Sequence, residues 1–207
     1  EVIVQANTYI ASILAILAAD LVPVLVEPKL ETYNINPDLI PEKITSKTKA
    51  ILAVHLYGQL AEMEPIHKIA EQNDLLVIED AAQAHGIERN SNFEIPNSKT
   101  ELWARAYSFY PSKNLGALGD GGAIATNNTE LAEIVLRLRQ YGWSSKYQVS
   151  LMNSSNSRLD EMQAALLIEF LPLLDSWNNQ RREIAKRYAN LITHPAIKLP
   201  IFNNEDY

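Results

Sequence analysis

Short runs of aliphatic and β-branched residues alternate along this chain with segments of helical spacing, and that alternation limits the possible folds more than any other feature. Strand-like runs lie at 2–5, 22–26, 50–58, 75–80, 105–110 and 122–127. They are nearly continuous in apolar character, as expected of strands buried on both faces. Between them, residues 7–19 carry apolar positions at helical spacing, with Asn7 and Thr8 as candidate caps. A short helix is expected over 34–44, with proline near its start, and an amphipathic one over 64–73. A further helix is expected over 128–142, closed by Gly142. From Arg158 a long helical pattern runs to Ile192, broken at Pro172. This order predicts an α/β fold, a mostly parallel sheet with helices on both faces. The 122–127 run follows a GDGG turn, so it is expected to return antiparallel to the strand before it.

Composition removes several classes of function. The net charge is −7 with no basic run, which argues against a nucleic-acid or anionic-membrane surface. The chain has no cysteine, which rules out disulfides, thiolate nucleophiles and cysteine-ligated zinc and is compatible with a reducing cytoplasm. No metal site is expected. The longest apolar run, near IASILAILAA, is too short to span a bilayer, and Asp20 follows it. No GxGxxG or GxxxxGK[ST] pattern is present to hold a pyrophosphate. The polar stretch 88–101 reads as a solvated loop or loose hairpin.

In an open parallel sheet, ligands gather at the carboxyl ends of the strands. Tyr9, His55, Asp80, Ser108 and Lys113 all fall at or just past such ends. Each has a plain reading alone: a core aromatic, a satisfied core histidine, a capping carboxylate, a solvated loop lysine. Together they offer an amine, a carboxylate, an aromatic face and hydroxyl donors to one crevice. Pyridoxal 5′-phosphate asks for that set. Its aldehyde needs an amine whose ordinary pKa of about 10.4 is brought into a useful range by burial and bonding. Its ring nitrogen needs a carboxylate, its ring an aromatic neighbour, and its phosphate hydroxyls and backbone N–H groups.

The segments VQANTYIAS, VHLYGQ, IEDAAQAHG, YSFYPSKNLGALGDGGAI and NSRLDEMQAALL, in that order, resemble the DegT/DnrJ/EryC1/StrS sugar aminotransferase family. Its members are fold-type-I enzymes dependent on pyridoxal phosphate. The resemblance spans nearly the whole chain, and the block around Lys113 is its most specific part. It implies that Lys113 bonds the cofactor and then shuttles a proton, and that Asp80 pairs with the pyridine nitrogen. Gln83 would bond the ring's 3-oxygen, Tyr9 would stack on the ring, and Ser108 would bind the phosphate. Asn156 would reach the phosphate of the neighbouring subunit's cofactor across a homodimer interface. His55 and His85 match positions near the site, and for each a structural hydrogen bond competes evenly with a substrate contact. Gly119, Gly121 and Gly122 read as turn and close-approach glycines, and Arg158 and Asp160 as residues that hold their region together.

The resemblance implies transfer of an amino group from an amino acid, by analogy L-glutamate, to a nucleotide-linked keto-deoxysugar, in the cytoplasm. VHLYGQ and QYGWSSKY resemble members acting on dTDP-linked 3-keto-6-deoxyhexoses. Relatives that use the cofactor for dehydration carry histidine in place of the lysine, so Lys113 points to transamination. A non-catalytic regulatory protein of the same fold is the other alternative. The pattern divides into a cofactor-binding large domain over 1–157, a connecting helical region over 158–192, and the start of a small domain over 193–207. There are departures. Gln5 stands where the family usually has proline, and LWARAYSFY replaces a segment that usually holds a Gly-Asp pair. The loop at 88–104 is therefore expected to differ in shape. The chain reads as an excerpt, with the family's upstream Gly-Thr turn before Glu1 and most of the small domain after Tyr207.

Overall fold

A computed structural model describes residues 1–87 and 103–201. Six strands form one sheet: β1 (Val2–Gln5), β2 (Pro23–Val26), β3 (Ala50–Val54), β4 (Leu76–Asp80), β5 (Trp103–Ser108) and β6 (Gly122–Thr126). Their order is β2-β1-β3-β4-β5-β6. The pairs β1–β2, β1–β3, β3–β4 and β4–β5 are parallel, and β5–β6 is antiparallel, as the GDGG turn predicts. The expected loop at 88–101 lies outside the described residues.

Strand alternation divides the core in two. Ile3, Ile51, Ala53 and Val77 point to one face, where Met63, Ile66 and Ala70 of helix α2 (Met63–Gln72) cover them. Val2, Val4, Leu52 and Val54 point to the other, against Ile16 of helix α1 (Ile10–Ala18). Helices therefore sit on both faces, as expected of a parallel sheet. A fully buried aliphatic such as Ile66 stabilises this packing by about 1.5–3 kcal/mol. Towards β4 the α1 side is more open: Leu76 and Ile78 are 42% and 36% exposed.

Local chemistry explains where elements differ from expectation. Residues 34–44 form two 3-10 turns, Pro37–Leu39 and Pro41–Lys43, rather than one helix. Pro41 has no N–H to give to the Pro37 carbonyl, so the i→i−4 ladder cannot continue. Shorter bonds replace it, Ile40 to Pro37 and Ile44 to Pro41. Strand β3 stops at Val54 rather than Gly58, because Tyr57 (φ 58°) and Gly58 (φ 81°) turn left-handed. Helix α3 (Thr129–Leu138) is capped by Asn128, whose side chain accepts from the Leu131 N–H. Gly142 follows at φ 67°, and leads into a hairpin, β7 (Trp143–Ser145) and β8 (Gln148–Val149), that local pattern did not reveal.

The long C-terminal pattern is broken where Pro172 predicts. Helix α4 (Glu161–Phe170) meets a 3-10 turn at Leu171–Leu173 before α5 (Leu174–Leu191). Asp160 caps α4, accepting from the Met162 and Gln163 N–H groups at 2.8 and 3.4 Å. This matches its expected holding role. Asp160→Ala is expected to cost about 1 kcal/mol, read as a lower urea midpoint of the full-length protein with unchanged slope. Among the described residues no helix is long and apolar enough to cross a membrane.

Candidate active site

Strand order places β1 between β2 and β3, so the connections leaving β1 and β2 run to opposite sides of it. A crevice opens at such a reversal, outside the carboxyl ends of the strands. A cavity of ≈ 490 Å³ lies there. Its lining includes Tyr9, Asp80, Gln83, Ser108 and Lys113, which follow or end β1, β4 and β5. Five of the eight residues expected from sequence are thus brought to one cavity.

Asp80 is the last residue of β4, half-buried, and both its oxygens are held. Oδ2 accepts from the Ser12 hydroxyl at 2.8 Å, and Oδ1 accepts from the Ala82 N–H at 3.0 Å. Ser12 is itself buried on α1 and bonds Thr8 Oγ1 at 2.8 Å. The first turn of α1 therefore fixes the carboxylate across the sheet end. Sequence reading missed Ser12. The available signal was a serine one helical turn after Thr8, within an otherwise apolar helix.

Lys113 sits in the connection from β5 to β6, and this segment folds back on itself. Phe109 N–H donates to Gly121 O, Ala117 N–H to Phe109 O and Lys113 N–H to Tyr110 O, at 2.8–2.9 Å. Leu115 and Ala117 pack into a cluster with Leu167 of α4 and Leu174 of α5. Gly116 allows the fold-back, since a Cβ there would stand 2.6 Å from the Pro111 carbonyl oxygen. Gly122 is a second close-approach glycine, with Tyr107 O 2.7 Å from where a Cβ would be. Asn114 donates from Nδ2 to Asn178 Oδ1 of α5 at 2.8 Å, which pins the segment beside the lysine.

Tyr9 stands at the N-terminus of α1 and is 71% exposed, so its ring is a face offered to the cavity rather than core. Gln83 accepts from the Tyr57 N–H through Oε1 at 2.6 Å. Ser108 Oγ accepts from the Tyr110 N–H at 3.2 Å.

The remaining three lie elsewhere. His55 is fully buried and faces away from the cavity. Its Nδ1 accepts from the Ala61 N–H at 3.1 Å, which leaves Nε2–H to donate to Glu79 Oε2 at 2.7 Å. The structural hydrogen bond, one of the two readings of His55, is thus present, on the side of Glu79, which the pleat of β4 sends to the face opposite Asp80. Glu79 also accepts from Arg105 Nη2 and Nε and from Trp103 Nε1, at 2.7, 3.0 and 2.9 Å. His85 does not line the 490 Å³ cavity. It is buried behind it, with Nε2 on the Ser108 carbonyl at 2.8 Å and Nδ1 without a partner. Burial lowers the His85 pKa, the Ser108 contact opposes this, and the Lys113 charge lowers it further. Asn156 is exposed, away from the cavity, and accepts from the Arg158 N–H at 3.4 Å. Arg158 lies over the Tyr141 ring at 5.6 Å, in keeping with a local holding role. Among the described residues no group of acids, histidines or cysteines could hold a metal ion.

Residues 1–206 match the DegT/DnrJ/EryC1/StrS aminotransferase family. The chain is 56% identical over 205 residues to dTDP-3-amino-3,6-dideoxy-alpha-D-galactopyranose transaminase of Aneurinibacillus thermoaerophilus, covering 99% of this chain and 55% of that protein. It is 46% identical to dTDP-3-amino-3,4,6-trideoxy-alpha-D-glucose transaminase of Streptomyces venezuelae, covering 97% and 52%. The solved structure of S. venezuelae DesV in complex with ketimine intermediate superposes with a TM-score of 0.90 at 44% identity, covering 99% and 54%. That of ntda from Bacillus subtilis with bound cofactor pmp gives 0.88 at 36% identity, covering 99% and 47%. The chain thus spans about half the length of the relatives it matches.

Proposed function

This chain belongs to the DegT/DnrJ/EryC1/StrS aminotransferase family, and from that premise we propose that its parent protein is a pyridoxal-phosphate-dependent nucleotide-sugar transaminase. The observation that carries the reading is the single cavity walled by Lys113, Asp80 and Tyr9 at the strand ends. The residues present fit the cofactor. The donor set pairs a half-buried primary amine with a carboxylate that two donors hold in place, and an exposed aromatic ring stands at the same cavity.

When bound, the cofactor supplies an electron sink that allows an amine to pass between an amino acid and a ketone. The chain's own residues supply the rest. The Lys113 amine would hold the cofactor and would move a proton to and from the substrate carbon. The Asp80 carboxylate, fixed by Ser12 and the Ala82 N–H, favours a protonated ring nitrogen. Tyr9 covers the ring face, Gln83 orients the ring's oxygen and Ser108 takes the phosphate. Asn156 reaches out to a second copy, so the complete enzyme is a homodimer with shared sites. The acceptor is a nucleotide-linked keto-deoxysugar of the dTDP-3-keto-6-deoxyhexose type, and the donor is L-glutamate. The setting is amino-sugar and polysaccharide biosynthesis in the cytoplasm.

The test is spectroscopic. The full-length protein loaded with pyridoxal phosphate is expected to show a visible absorption band that L-glutamate bleaches and a dTDP-linked keto-sugar restores. A protein that stays colourless with added cofactor contradicts the reading.

A further inference from the structure

A second cavity of ≈ 480 Å³ shares three wall residues with the first, Gln83, Ser112 and Lys113. Helix α5 closes its far side with Arg181 and Arg182. Among the described residues its lining contains three cationic side chains, those two and Lys113, and no aspartate or glutamate. His85, also in the lining, cannot offset these charges, since an imidazole is neutral or cationic. The Arg182 Nε is buried without a hydrogen-bond partner, although its Nη1 is held by Asn179 Oδ1 at 2.5 Å. A buried guanidinium donor left unpaired is costly, and an incoming oxygen anion would satisfy it. The wall is also fixed in place: Asn178 of α5 donates from Nδ2 to the His85 carbonyl at 2.8 Å and accepts from Asn114, next to Lys113.

We propose that Arg181 and Arg182 form the subsite for the carboxylate of the amino donor. This rests on the transaminase reading above and adds the residues that hold the donor's α-carboxylate. Position favours a carboxylate over a sugar diphosphate. The donor's α-carboxylate lies one bond from the carbon that must exchange its proton at Lys113, and the cavity adjoins that lysine directly. The diphosphate of a nucleotide 3-keto sugar hangs from C1, two ring bonds and a glycosidic oxygen away from the reacting carbon. Guanidinium groups match carboxylates with paired N–H donors, which lysines in the same place would not do.

Two measurements on the full-length protein test this. Glutarate is titrated by calorimetry into the cofactor-free wild type, R182Q and R181Q, with thymidine diphosphate as a parallel probe. Glutarate binding is expected to weaken at least about tenfold in R182Q, the loss of one charge-assisted contact, while thymidine diphosphate binding is unchanged. In the cofactor-loaded protein, the L-glutamate concentration for half-maximal bleaching is expected to rise by a similar factor, and the keto-sugar concentration for restoring the band to stay constant. R182K retains charge but not the fork, and is expected to fall between. Loss of thymidine diphosphate binding with glutarate spared would overturn the proposal and assign the cations to the diphosphate. So would unchanged glutarate binding in both R181Q and R182Q; if their bands still form and bleach normally, the subsite fails and the transaminase reading stands. A wild-type protein that forms no band removes the transaminase reading, and the donor assignment with it.

Discussion

Lys113→Ala in the full-length protein is expected to abolish the visible band and to slow amino transfer by at least about 10²–10⁴-fold. Stability should barely change, because the lysine is half-buried and its amine makes no hydrogen bond among the described residues. Its backbone N–H bond to Tyr110 O is independent of the side chain. A circular dichroism spectrum and a urea midpoint matching wild type would show that the loss is chemical. Partial recovery by an added small primary amine would point to the missing proton shuttle. A variant that kept the band and the rate would remove Lys113 from the reaction and with it the reading of the cavity.

The second large effect is on stability and falls on the neighbouring strand position. Glu79→Leu is expected to destabilise the protein by about 3–5 kcal/mol, against a typical total of about 5–15 kcal/mol. Glu79 is fully buried and takes bonds from His55, Trp103 and Arg105. Removing it strands the Arg105 guanidinium, which is 6% exposed and whose pKa is raised, against its burial, by the Glu79 and Tyr107 contacts. The double variant Glu79→Leu, Arg105→Met removes both charges and is expected to recover much of the loss, since apolar replacements of buried pairs are often near neutral. Urea denaturation of the two variants decides it. A single variant within 1 kcal/mol of wild type, or a double variant worse than the single, would show that the network does not hold the sheet.

Much of the fold is legible in the residues because its signals are local. Aliphatic runs between helical patterns give the strand order along the chain, and Pro172 and Gly142 mark real ends. The convergence of Tyr9, Asp80, Ser108 and Lys113 follows from one topological rule, that parallel strands deliver their carboxyl ends to the same side. What sequence missed depends on partners distant in the chain. Ser12 matters because Asp80 stands opposite it, and nothing near residue 12 announces that. His55 and Asp80 both end strands, yet the pleat sends His55 towards Glu79 and away from the cavity. The two arginines of α5 carry no local signal of a site, and only the packing of the helix against the Lys113 segment brings them to a cavity. The 34–44 segment departs from one helix for a different reason: a proline suits the start of a helix, but Pro41 lies within the segment and its missing N–H ends the ladder.

The segment bearing Lys113 leaves the sheet at β5 and re-enters it beside the same strand at β6. It is tethered like a bridge deck at both abutments, with α4 and α5 as piers through Gln163, which accepts from the Leu118 N–H, and Asn178. Surface loops usually absorb an extra or a missing residue, but this span has no slack to do so. Length changes between Phe109 and Gly121 should therefore be rarer among functional descendants than point substitutions, and would move the amine along with the floor it stands on.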